Sequence, residues 1–321
     1  YISMTDIKLI INQDVYKDNI ATPTILLFIF GGGLFITSII LRLIYNYSAL
    51  VVIPLSALGT YCLFPVIHDG SHGSICKNKF YNELISYIAG VPFFFAPFPT
   101  WRFIHLRHHR YTNIRDKDPD YYAGGGVQNS FYLPIRWITH IFHYYVYFIT
   151  ELIKILYKNI RNKLINEDNT CEIENIYKIT SDKIIKDNTF ILFITGFSIF
   201  LNILIVYYTY CAGVFDELCI LWIIPSTITI MLLSVLFDYL PHRYYEVDIL
   251  ENKYKTTNMT HGLMTKKGKV NKLIAFLTCN QLTYHNIHHL YPKVPFYLYP
   301  KIWDDNKDEL IRRGTKVQAI F

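Results

Sequence analysis

Residues 49–72 read ALVVIPLSALGTYCLFPVIHDGSH. Positions 49–67 carry no charge, and at about 1.5 Å per helical residue they extend roughly 28 Å, close to the ~30 Å hydrocarbon core of a bilayer. HDGSH follows at once. It sets His68 and His72 four positions apart, on one face if the helix continues. A membrane span that ends in paired metal-type side chains is the pattern from which the rest of the chain is read.

Upstream, TILLFIFGGGLFITSIIL (24–41) is a second uncharged run, and only a short polar YNYS separates the two. They form a hairpin, with spans expected at 24–44 and 49–67. A second pair is expected at 189–211 and 218–237, joined by AGVFDE, which has no Lys or Arg. The fold class predicted is all-α integral membrane, with four transmembrane helices in two hairpins and a cytoplasmic helical cap holding a metal site. Residues 24–321 form one domain, preceded by a cytoplasmic segment over 1–23. That segment lacks the basic-then-apolar order of a cleaved signal.

Composition agrees with this reading. The 321 residues are 52% hydrophobic with mean hydropathy +0.21, too apolar for an ordinary soluble domain. The net charge of +6 does not indicate nucleic acid, because Lys and Arg stand in blocks between apolar runs. Lys77, Lys79, Arg102, Arg107, Arg110, Lys158, Arg161, Lys163, Lys183 and Lys186 fall in the central stretch, which places that stretch, the metal site and both termini on the cytoplasmic side. Arg42, near the outer end of the first span, is the exception and is expected to snorkel. The apolar segments 84–98 and 131–156 are broken by prolines or charges and are placed at the interface, not across it. The six cysteines (Cys62, Cys76, Cys171, Cys211, Cys219, Cys279) include no CxxC pair, so neither a disulfide framework nor a thiolate zinc site is indicated. Neither GGG, at 31–33 or 124–126, has the strand and GK of a phosphate loop.

Eight of the 12 histidines stand in three groups: HDGSH at 68–72, HLRHH at 105–109 and HNIHH at 285–289. On helices each group shows its rings on one face, as a chelating unit. His242, in FDYLPHR, follows the fourth span as His68 follows the second, so all groups converge on one side. Nine imidazoles exceed the three or four one zinc needs, so two metals are expected. Imidazole without thiolate favours iron handling dioxygen, while zinc, copper and cobalt also accept such ligands. Asp118 and Asp120, in KDPDYY, either orient ligand imidazoles or cap a proline turn. His140 and His143 share a helical face but lack a third partner and read as structural or cavity-lining. His261, alone in a polar loop, reads as solvent-exposed.

The order HxxxH, HxxHH, His, HxxHH on four spans resembles the membrane fatty-acid desaturase superfamily over most of residues 49–300. Within it, IHDGSH, HLRHHRYTNIRDKDPDYY, FDYLPHR and NQLTYHNIHHLYPKVPFY look most similar to carotenoid β-ring hydroxylases of the cyanobacterial type, and next to the related ketolases. The three-residue spacing of the first group favours that branch, although some acyl-lipid enzymes share it. Tyr244 and Phe296 depart from the proline and tryptophan expected there, and 157–188 is diverged. The resemblance implies that His68, His72, His105, His108, His109, His242, His285, His288 and His289 bind two irons, with Asp238 a water-mediated neighbour. It also implies O2 as co-substrate, a lipid substrate, and an external electron donor of the ferredoxin or cytochrome b5 kind. The chain itself shows no nucleotide fingerprint and no cluster-binding cysteine run.

Ring hydroxylation of a carotenoid, from β-carotene toward zeaxanthin, is the activity expected, with acyl-lipid desaturation or hydroxylation as the rival. A metal-binding or transport protein without oxidase activity fits less well, because transporters place ionisable groups at mid-span and these histidines lie at span ends.

Overall fold

The computed structural model describes residues 19–94, 96–127, 130–164, 193–243, 246–261 and 272–319. Expectations for residues 1–18, for most of the 158–188 connection, for 189–192 and for Tyr244 fall outside them.

Four described helices are long and apolar enough to cross a membrane: α1 (Thr22–Leu43), α2 (Ala49–Ser71), α6 (Phe193–Cys211) and α7 (Phe215–Tyr239). Between them lie α3 (Lys79–Gly90), α4 (Phe98–Tyr111) and α5 (Leu133–Leu164); after them come α8 (Lys272–Leu277), α9 (His285–Leu290) and α10 (Tyr299–Arg313). One parallel pair, β1 (Asn258–His261) with β2 (Lys316–Ala319), is the strand content of the described residues.

Helices in lipid gain little from apolar burial against each other, so close packing and hydrogen bonds must hold the bundle. In α1 and α2, Gly31 and Gly59 bring the backbones together: a Cβ on either would lie 2.8 Å from the other's carbonyl oxygen. Between α2 and α7, Ser56 Oγ donates to Leu221 O at 2.9 Å and Thr229 Oγ1 to Ala57 O at 3.1 Å. These hydroxyls find acceptors where no water competes.

Several boundaries differ from expectation. Helix α2 runs on to Ser71, past 67, so the first histidine group sits on the span's own last turn. Helix α7 starts at Phe215, not 218, which puts Asp216 and Glu217 in its first turn. Glu217 then explains Arg42: the guanidinium is bidentate to it, at 2.7 Å for each bond, and donates to Tyr47 O at 3.1 Å. Arg42 does not snorkel alone; it ties the two hairpins together at the end away from the histidines. His261 is not in a loop but in β1, paired with Ala319.

Near its end α7 makes a π turn, in which Leu240 N–H bonds Val235 O five residues back at 3.0 Å. Such an inserted residue often marks a functional position, and Asp238 is buried within it. Two cores flank the histidines. The larger joins α2, α4, α5 and α7 through residues such as Phe64, Trp101, Ile141 and Phe237; the smaller packs Ile287, Tyr299, Ile302 and Leu310 beneath the third group. Helix α5 buries His140, Ile141, Tyr144 and Phe148, and exposes Ile135, Ile138, Phe142, Val146, Ile149 and Ile153. An apolar outer stripe at spacings of three and four fits a lipid-facing helix.

Candidate metal centre

Helices α2, α4 and α9, with the turn after α7, point nine imidazoles at one volume. The Nε2 atoms meet edge to edge: His68 to His288 at 3.0 Å, His72 to His105 at 2.9 Å, His242 to His285 at 3.0 Å, His289 to His285 at 3.0 Å, and His108 to His289 at 3.2 Å. His109 stands between, 2.7 Å from His288 and 3.2 Å from His105. Two tetrads result, His68–His72–His105–His288 and His108–His242–His285–His289, and within each the ligand atoms lie inside 4.8 Å of one another.

The grouping in space is not the grouping in sequence. The rings of one box do not all stay together: HLRHH divides, with His105 in the first tetrad, His108 in the second and His109 between them, and HNIHH divides likewise. Residues at i and i+3 diverge by about 60° around a helix axis, enough to serve two centres.

One Nε2–H···Nε2 pair at about 3 Å is an ordinary hydrogen bond. But His288, His109, His105, His285 and His289 each meet two other Nε2 atoms, more than their single protons and lone pairs can satisfy, and this is the separation of nitrogens sharing one ion at about 2.1 Å. The outer nitrogens agree. With Nε2 lone pairs turned inward, Nδ1 carries the proton, and acceptors stand ready for it: Asp118 Oδ1 for His108 at 2.8 Å, Gln281 O for His285 at 3.0 Å, Asn113 Oδ1 for His242 at 3.2 Å, and Tyr299 Oη for His288 at 3.0 Å. His68 differs: its Nδ1 faces the Gln281 Nε2 amide donor at 2.9 Å, so an inward Nε2 lone pair on this ring requires the amide turned to present Oε1, which is buried without a partner among the described residues. Such partners fix ring orientation and tautomer in metal sites. Burial, and after it the charge of neighbouring rings, holds His105, His109, His242, His288 and His289 well below the ordinary imidazole range. Burial brings His72 and His285 down to about 3. These rings are neutral donors at any physiological pH, which metal binding requires.

Asp118 fills both roles expected of it at once. One oxygen accepts from His108 and from Asp120 N–H, capping the turn at Pro119, and the other accepts from Asn113 N–H at 2.6 Å. Asp120 Oδ2 lies 3.3 Å from His108 Nδ1. Asp238 Oδ2 is 3.2 Å from His140 Nδ1. Asp120, Asp238 and His140 form a buried cluster of their own. Gln281, Asn113 and Tyr299 were not foreseen; only Gln281, one turn before His285, carried a positional signal.

Beside the tetrads is a small gap lined by His68, His105, His108 and His285, by Asp120, Asp238 and Gln281, and by Phe64, Trp101 and Phe237. Trp101 stacks on His105 with ring centres 5.2 Å apart. An adjoining apolar cavity shares Trp101 and adds Ala96, Thr100, Ile104, Ile141, Tyr144 and Tyr145.

The sequence model of the fatty acid desaturase family matches residues 43–321. An sn-1 acyl-lipid omega-3 desaturase (ferredoxin) of Nostoc is 28% identical over half of this chain and 44% of its own length. Dihydrorhizobitoxine desaturase of Bradyrhizobium elkanii is 25% identical over 74% of this chain and 62% of its own length. An omega-3 fatty acid desaturase of Caenorhabditis elegans is 45% identical over 18% of this chain and 14% of its own length. The chain thus spans less than two thirds of each. The expected closeness to carotenoid ring hydroxylases and ketolases finds no support, since these relatives are desaturases by name. The physical reason is plain: HxxxH spacing is what a helix needs to send two rings the same way, so it reports the metal centre and not the substrate. The match over 43–321 and the histidine centre within it agree: the chain belongs to the fatty acid desaturase family.

Proposed function

We propose that this protein is a membrane-bound, O2-dependent, non-haem di-iron desaturase that removes two hydrogens from an acyl chain of a lipid. The observation that carries the reading is the pair of imidazole tetrads opening on an apolar-walled gap. Relatives named as acyl-lipid and fatty acid desaturases support the substrate class.

In this reading His68, His72, His105 and His288 hold one iron, His108, His242, His285 and His289 the other, and His109 stands between. Bound there, two irons would supply reductive activation of dioxygen and an oxidant able to take hydrogen from an unactivated C–H. The chain's own part is placement. Phe64, Trp101 and Phe237 wall the gap and keep water out, and Gln281, Tyr299, Asn113 and Asp118 lock the rings. The protein holds an apolar chain still against the centre, so that the second hydrogen leaves from the carbon next to the first.

Electrons come from a separate donor of the ferredoxin or cytochrome b5 kind; the name of the Nostoc relative includes ferredoxin. Residues 24–321 make one membrane domain, and its histidine end, near Lys77, Lys79, Arg102 and Arg107, faces the cytoplasm under the positive-inside rule.

The test is expression in bacteria lacking polyunsaturated lipids, with acyl methyl esters analysed by gas chromatography and mass spectrometry. New double bonds with the intact chain, absent with His105→Ala, support the reading. Unchanged acyl chains, with donor and iron supplied and both proteins present in the membrane, refute it.

A further inference from the structure

Outside the two tetrads lies a buried polar cluster that metal binding does not by itself require. Tyr144, on α5, is 5% exposed. Its hydroxyl donates to Asp120 Oδ1 at 2.7 Å and faces Asp238 Oδ2 at 3.4 Å. Asp120's other oxygen lies 3.3 Å from His108 Nδ1. On the far side His140, fully buried, sits between Asp238 at 3.2 Å and Ser234 Oγ at 2.8 Å, with its ring 4.3 Å from that of Tyr144. A hydroxyl has one proton, and the shorter contact assigns it to Asp120.

The same Tyr144 is also a wall of the apolar cavity, with Trp101, Ile104 and Ile141. Two surfaces of one side chain therefore face two functions. Its ring meets whatever fills the cavity, and its hydroxyl sets the carboxylate beside a ligand of the second tetrad. The first tetrad has no such link through α5, for its contact with the cavity is the apolar stack of Trp101 on His105.

We propose that Tyr144 is a positioning residue that couples the acyl-chain cavity to the second metal position, by orienting Asp120 against His108. This rests on the acyl-chain reading for what fills the cavity, but not for the link to the metal. A chain seated against the ring restricts Tyr144, and through the 2.7 Å bond it restricts Asp120 and His108. An empty cavity leaves that ligand less well held. Oxygen chemistry at the centre then depends on the substrate being in place.

The experiment uses the full chain in detergent, stripped of metal and titrated with Co(II), whose absorption reports ligand geometry without turnover. Tyr144→Phe keeps the ring and loses the hydroxyl. It is expected to weaken one of the two Co(II) positions by about three- to fivefold, less than the roughly tenfold loss when a ligand's direct outer partner is removed, and to leave the other unchanged. Tyr147→Phe removes a hydroxyl from the same helix that bonds the Lys117 carbonyl at 2.8 Å, and is expected to change neither. Addition of phosphatidylcholine with 18-carbon chains should shift the wild-type Co(II) spectrum and leave the Tyr144→Phe spectrum unmoved. If Tyr144→Phe does not fold, Asp120→Ala reads the same link from its other end. Two Co(II) positions weakened equally, or neither, overturns the proposal, as does a measurable lipid shift that is equal in wild type and Tyr144→Phe. Weakening of one position by Tyr144→Phe, in a wild type that ignores the lipid, keeps the metal link and sinks the acyl-chain reading.

Discussion

In the first tetrad the nearest groups on the outer nitrogens are neutral, the Gln281 amide behind His68 at 2.9 Å and the Tyr299 hydroxyl behind His288 at 3.0 Å, and the Asp69 carboxylate stands farther off, 3.7 Å from His68. In the second, His108 rests on a carboxylate, Asp118 at 2.8 Å, with Asp120 at 3.3 Å and Asp238 behind it. The inward faces are alike, four imidazoles each, so by ligand type the two positions would be equal. What differs is the charge one layer out. A carboxylate behind an imidazole makes it a more basic donor, and two positions built from the same residue type can thereby bind and tune their ions differently.

The harshest way to break this comparison is to remove an inner ring. His288→Ala and His285→Ala are each expected to abolish product, by more than about a hundredfold, beyond the 10–100-fold typical of outer partners. Metal analysis should then find one ion lost from each. Loss of both ions from either variant would mean that the tetrads do not bind independently.

A second test uses pH. Against burial, which opposes the charged ring, Asp118 and Asp120 carry His108 up to about 9, whereas burial brings His72 and His285 down to about 3. Below about pH 9 an ion entering the second tetrad must displace a proton from His108, and its affinity should rise about tenfold per pH unit from 7 to 9. The first tetrad, neutral above about pH 4, should show no slope. Calorimetric Co(II) titration at three pH values distinguishes them, and equal slopes would remove the asymmetry.

Asp118→Asn sharpens the point. It keeps an acceptor for His108 and loses the charge, so the second position should weaken by about tenfold and lose most of its pH slope. Gln281→Leu should weaken only the first position, by a few-fold, in the same titration.

The smallest effect on the comparison is expected from the far packing. Gly31→Ala forces α1 and α2 apart at the 2.8 Å contact and should cost about 1–3 kcal/mol of stability, read as a lower melting temperature in detergent. The ratio of the two metal affinities should stay as it was.

Much of this was legible in the chain. Uncharged runs of span length, as in 24–41 and 49–67, follow from bilayer thickness alone, and imidazole chemistry alone marks nine clustered histidines as a candidate metal centre. The spacing of HLRHH and HNIHH also required helices, and α4 and α9 supply them. What the spacing could not show was the division of each box, because which tetrad a ring joins depends on which helix stands opposite. Glu217 became the partner of Arg42 only through the approach of two helices 175 positions apart. Tyr144, one of 27 tyrosines, carries no local mark at all; its place between cavity and ligand arises from α5 crossing the turn at Asp120.

The sequence by itself determined a membrane bundle and the nine imidazoles of a candidate metal centre, because hydrophobic length and ligand type are properties of residues. Only the tertiary structure decided how the rings divide, which of them stand on carboxylates and which on neutral groups, and where the apolar cavity opens. Those depend on distances between helices, and Coulomb and hydrogen-bond energies change steeply over the few tenths of an ångström that packing sets.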